Sequence, residues 1–113
     1  MPSVFRSRPS IYASRVHQRR PLDVRVCLIA IDANGERVMI YGRTRDLSVS
    51  GAGLTLPSPL PYGTEIALQI RMPRGEALAL RAVVMRRQGS RVGVRFLQTS
   101  AEQRLRLAEF CRG

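Results

Sequence analysis

At 113 residues the chain is one domain long, and its 44% hydrophobic content with only 5% aromatics and no Trp requires a core of Val, Leu, Ile and Met. The longest apolar runs, such as 26–31, fall far short of the roughly 20 residues of a membrane helix; no apolar leader is evident, and a lone His with two distant cysteines argues against zinc. The net charge is +11, carried by 19 basic residues that are all Arg, which points to an anionic partner such as a nucleic acid, a nucleotide or an acidic surface.

Residues 1–14 lack periodicity and read as a flexible basic tail, and residues 15–113 as a single domain. Residues 15–22 (RVHQRRPL) read as a basic loop, because Pro21 biases Arg20 away from helix. The β-branched run 24–31 predicts a strand, and Asn34-Gly35 predicts a hairpin into a return strand over 36–43. Residues 46–53 (DLSVSGAG) read as a turn-rich loop, followed by a short strand over 53–56 that Pro57, Pro59 and Pro61 stop. Strict alternation of Ile66, Leu68 and Ile70 predicts a half-buried strand over 64–71. Residues 76–87 alternate through Leu78, Leu80, Ala82 and Val84; helix is a rival there, but the turn rhythm favours strand. A last strand is predicted over 91–97. Ser100 with Gln103 forms a capping-box pattern that opens a helix over 101–111, with Leu105, Ala108 and Phe110 as its apolar face. Short strands with regular turns and one terminal helix predict an all-β barrel or sandwich.

Two motifs carry chemistry. Arg15 and Arg19 form an RxxxR spacing, followed directly by Arg20, and Asp46, Ser48 and Gly51 form a DxSxxG spacing. Each alone is weak in a chain so rich in Arg. Their order adds weight: RxxxR precedes the first strand, DxSxxG follows the hairpin, Gly63-Thr64-Glu65 opens a strand, and Arg91-Val92-Gly93-Val94-Arg95-Phe96 lies near the end. In this combination, from Arg15 to Phe110, the chain resembles the PilZ domain family.

The resemblance implies a six-stranded Greek-key β-barrel with a C-terminal α-helix and a non-enzymatic receptor for cyclic di-GMP. It implies that Arg15 and Arg19 contact phosphate and guanine, while Asp46, Ser48 and Gly51 receive a guanine base; Arg20 is an adjacent candidate. Ser14 stands where many members carry a further Arg that favours a stacked ligand dimer, so one ligand per domain is the expectation unless Arg6 and Arg8 compensate. A free-standing receptor also implies an effector protein partner, in the cytoplasm.

The residue chemistry agrees independently. Arg can grip a phosphate bidentately and stack on a flat ring. An ionised Asp46 can accept from the N1–H and 2-amino groups of guanine, a donor edge that adenine lacks. Ser48 supplies a small hydroxyl, and Gly51 permits positive φ or close approach of a base. No cofactor or metal is implied, and no nucleophile elbow, phosphate-cradling glycine loop or metal-ligand set suggests an enzyme. Two alternatives stay open: a basic barrel binding single-stranded nucleic acid, which the scarcity of interleaved aromatics disfavours, and a ligand-free PilZ-like interaction module.

Overall fold

The computed structural model describes residues 18–58 and 60–112; the tail 1–14, Arg15 and His17 lie outside them. Seven strands and one helix follow in chain order: β1 (Arg20–Pro21), β2 (Arg25–Ile31), β3 (Arg37–Leu47), β4 (Gly51–Thr55), β5 (Glu65–Arg71), β6 (Ala77–Gln88), β7 (Arg91–Leu97) and α1 (Ala101–Arg112). All pairings are antiparallel. The sheet runs β1-β3-β2-β5-β6-β7-β4, and a β3–β4 pairing closes six of the strands into a barrel, with β1 laid along the end of β3. The order β5-β6-β7-β4 makes it a Greek key: three hairpin-linked strands, and a fourth joined by a long connection.

The alternation in the sequence is the alternation of burial. In β5, Ile66, Leu68 and Ile70 point inward while their neighbours face out, and Leu78, Leu80, Ala82 and Val84 do the same in β6. The barrel interior is aliphatic, with Leu28, Leu47, Leu54, Ile70, Val84 and Val92 fully enclosed. At the β2–β3 hairpin, Gly35 takes a φ of 81°, and the Asp32 carboxylate accepts from the backbone N–H of Asn34 (2.9 Å) and Glu36 (2.8 Å).

Four local expectations are corrected. The return strand does not stop at residue 43 but continues to Leu47. A bulge between Thr44 and Asp46 lets both Thr44 and Leu47 face inward, and Leu22, Val24 and β1 supply the pairing partners. The Thr44 hydroxyl is buried but satisfied, donating to the Leu22 carbonyl and accepting from the Val24 N–H at 3.0 Å. Residues 46–53 are therefore strand, tight turn and strand rather than a loop, with Asp46 paired to Gly53 and Leu47 to Ala52. Residues 20–21, read as loop, form β1.

The fourth correction concerns the helix. Ser100 and Gln103 cap it reciprocally: the Gln103 N–H donates to Ser100 Oγ (3.0 Å), and the Ser100 N–H to Gln103 Oε1 (2.7 Å). Its buried anchor is Leu107, whereas Leu105 is 56% exposed. At 3.6 residues per turn, Leu105 lies about 200° around the helix from Leu107. Phe110 packs partly against the core, and Cys111 donates weakly to the Leu47 carbonyl (3.6 Å).

Candidate ligand groove

The β3–β4 turn shows what the second motif does locally. The Ser48 hydroxyl is buried; it accepts from the N–H of Ser50 (3.2 Å) and of Gly51 (3.1 Å) and lies 3.2 Å from the Gly51 carbonyl. The Ser48 N–H closes the turn on that carbonyl at 2.8 Å. Gly51 has no positive φ; it begins β4 pressed against β7, where a Cβ would run into the Val94 carbonyl oxygen. Of the two expectations for Gly51, positive φ or close approach of a base, the first does not hold, and what approaches its backbone here is a neighbouring strand. Together Ser48 and Gly51 hold the end of β3 and the start of β4 so that Asp46 stands outward beside Gly53.

Asp46 faces a groove of about 410 Å³, within the usual range for small-ligand sites. Arg19, Arg45, Arg86, Arg87 and Arg91 surround it, and Gly53 and Gly93 contribute backbone. Arg19 Nη1 lies 2.5 Å from Asp46 Oδ1, so the structure brings the two motifs into contact. The same carboxylate oxygen accepts from the Gly53 N–H at 3.0 Å. A Cβ at Gly53 would meet Arg45 Nη2 at 2.8 Å and Asp46 Oδ2 at 3.0 Å; glycine there leaves the carboxylate its seat. Among the described residues lining it, one acidic group among five guanidiniums leaves a surplus of positive charge that a dianion would neutralise.

Arg20 is not in this groove. Its Nη1 donates to the Phe110 carbonyl at 2.7 Å, and its guanidinium lies 5.0 Å from the Phe110 ring centre, tying β1 to the last turn of α1. It borders a larger cavity of about 510 Å³ beside α1, where carboxylates offset the arginines; Arg106, for instance, pairs with Glu76 at 3.5 Å. In the same region burial pushes the Cys111 thiol up from its ordinary pKa, against the opposing charge of Arg20. Arg15, the other arginine of the first motif, lies outside the described residues.

Sequence reasoning missed Arg45, Gly53, Arg86, Arg87, Arg91 and Gly93 as groove residues. Glycine inside strand patterns was the available signal, since it often marks where a ligand approaches backbone. Among the described residues no group of three or more His, Cys, Asp or Glu gathers to hold a metal, and no helix is long and apolar enough to cross a membrane.

Comparison with known proteins places this geometry. The family model of the PilZ domain matches residues 13–113. Among solved structures, the chain is similar to the PilZ domain of CeSA from a cellulose-synthesizing bacterium, with a TM-score of 0.65 and 24% identity over 85% of this chain and 96% of that one. It is similar to the Bacillus subtilis inhibitor of motility MotI/DgrA, with a TM-score of 0.69 and 17% identity over 85% of this chain and 48% of that one. It is also similar to the PilZ domain of Escherichia coli YcgR, a structure described as containing c-di-GMP, with a TM-score of 0.59 and 19% identity over 84% and 89%. No functionally curated protein matches the chain.

Proposed function

Because the chain belongs to the PilZ domain family, we propose that it is a non-enzymatic receptor that binds cyclic di-GMP in the arginine-lined groove and passes the signal to a partner protein. The observation that carries this reading is the contact of Arg19 with Asp46 at the edge of a groove floored by Gly53 and Gly93. The Escherichia coli YcgR PilZ domain, described with c-di-GMP, supports the choice of ligand.

The groove chemistry suits a flat dianion. Guanine presents N1–H and a 2-amino group to the Asp46 carboxylate; adenine offers no such pair and is rejected. Arg19, which holds Asp46 in the free protein, gives up that carboxylate and moves to a ligand phosphate, with Arg15 as the second arginine of the motif. The exchange swaps one charge-assisted contact for several. Ser48 and Gly51 serve the site by fixing the turn that presents Asp46. Arg20 remains on Phe110, so displacement of Arg19, its neighbour in the chain, is felt at the β1–α1 contact. A surface altered there is what a partner protein would read.

The test is calorimetric titration with cyclic di-GMP at about 150 mM salt, with cyclic di-AMP and GTP as controls. Binding at micromolar concentration or tighter, by cyclic di-GMP alone, is expected. Absence of binding refutes the receptor reading. Salt-sensitive binding of any single-stranded oligonucleotide would favour the nucleic-acid alternative, which the lack of aromatic residues among the described residues lining the groove disfavours.

A further inference from the structure

We propose that Arg86 reads the N7/O6 edge of the guanine whose N1–H and 2-amino edge is held by Asp46; this rests on the cyclic di-GMP reading above. The argument begins with register. Asp46 of β3 pairs with Gly53 of β4, Gly53 with Gly93 of β7, and Gly93 with Arg86 of β6. Directly paired residues share a face of the sheet, so these four form one row on the barrel exterior. The row has a carboxylate at one end, a guanidinium at the other and two glycines between, with the Arg45 guanidinium reaching over Gly53 from beside the row. Three strand spacings of about 4.8 Å place its end residues about 14 Å apart along the sheet.

The row exists because of a bulge. Regular alternation through Leu78, Leu80, Ala82 and Val84 would turn residue 86 into the core. The register of β6 against β7 slips between Val84 and Arg86, and the extra residue turns Arg86 outward. A matching slip between Thr44 and Asp46 aims Asp46 at the other end. Two bulges thus flank one glycine floor and present opposite charges across it. Arg86 is directed along that floor: a Cβ at Gly93 would touch Arg86 Cβ at 3.5 Å and Nε at 3.6 Å. Arg86 is exposed and, among the described residues, forms no ion pair, whereas Arg19, Arg43, Arg81 and Arg106 all do. A guanidinium held over the Gly93 backbone without a carboxylate of its own matches the paired acceptors N7 and O6, the edge that Arg reads bidentately. Asp46 and Arg86 would then recognise guanine from two edges, which neither motif of the sequence achieves alone.

The experiment titrates the full chain with cyclic di-GMP and with its analogue built from 7-deazaguanine, which lacks only the N7 acceptor. The wild type should prefer cyclic di-GMP by about tenfold or more. Arg86→Ala should bind both ligands alike, near the wild-type affinity for the analogue, and Arg86→Lys should not restore the preference. Arg95→Ala makes the same charge change outside the groove and should keep it. If Arg86→Ala weakens both ligands equally or leaves the preference intact, the assignment of Arg86 is overturned while the receptor reading stands. If the wild type ignores cyclic di-GMP, both are overturned.

Discussion

Replacing Arg19 with Ala removes a side chain that holds Asp46 in the free protein and is assigned to ligand phosphate in the complex. In the complex it gives up at least two charge-assisted hydrogen bonds, together about 3–6 kcal/mol. Against this stands a gain: Asp46 no longer has to be released from an ion pair before guanine can use it. That pair has side chains 44% and 27% exposed, so water screens it and its strength is about 0–1 kcal/mol. The net loss is about 2–6 kcal/mol, whose lower end is roughly a 30-fold rise in Kd. The same figures predict a small stability effect, a melting temperature lowered by no more than about 4–8 °C. Calorimetric titration paired with thermal unfolding separates the two. A folded Arg19→Ala variant with unchanged affinity refutes the reasoning, because the arginine would then be only a partner for Asp46 and not for the ligand.

Asp46→Ala should lose the preference for cyclic di-GMP over cyclic di-AMP; competition titration checks this, and a variant that still rejects the adenine ligand removes Asp46 from base recognition. Gly51→Ala drives a Cβ into the Val94 carbonyl of the β4–β7 ladder and should lower stability by about 2–3 kcal/mol in urea unfolding; an unchanged midpoint would mean that the strands part easily. Leu107→Ala empties the fully buried anchor of α1 and should cost about 2–5 kcal/mol, with Phe110 protons shifting in NMR spectra; a small cost would show the helix to be only loosely docked. The raised pKa of Cys111 leaves little thiolate near neutral pH, so it should alkylate more slowly in the folded than in the urea-unfolded chain, and equal rates would contradict its burial.

Much of the architecture could be read in the residues themselves. The alternation of β5 and the first part of β6, the Asn34-Gly35 hairpin and the Ser100/Gln103 cap are local signals. Each depends on contacts within a few residues, so the chain carries them wherever it is read. Arg19 and Asp46 could be named in advance because their residue types state the chemistry. The helix face was misread because Leu105, Ala108 and Phe110 look apolar together, yet only the stripe through Leu107 meets the barrel. Ser48 and Gly51 were recognised as a motif; Ser48 acts within three residues of itself, but the role of Gly51 needs the position of β7, which lies more than 40 residues downstream.

The residues by themselves determined a strand-rich fold of high positive charge, with two motifs whose side chains suit phosphate and guanine. Tertiary structure decided which arginines share the groove. Arg19 and Arg20 are adjacent in the chain, yet one meets Asp46 and the other the end of α1. Arg86 is 40 residues from Asp46 in sequence and stands in the same row of the sheet. That row depends on two bulges and on barrel closure between β3 and β4. Bulges and closure are set by how distant strands fit one another, and no local propensity encodes that fit.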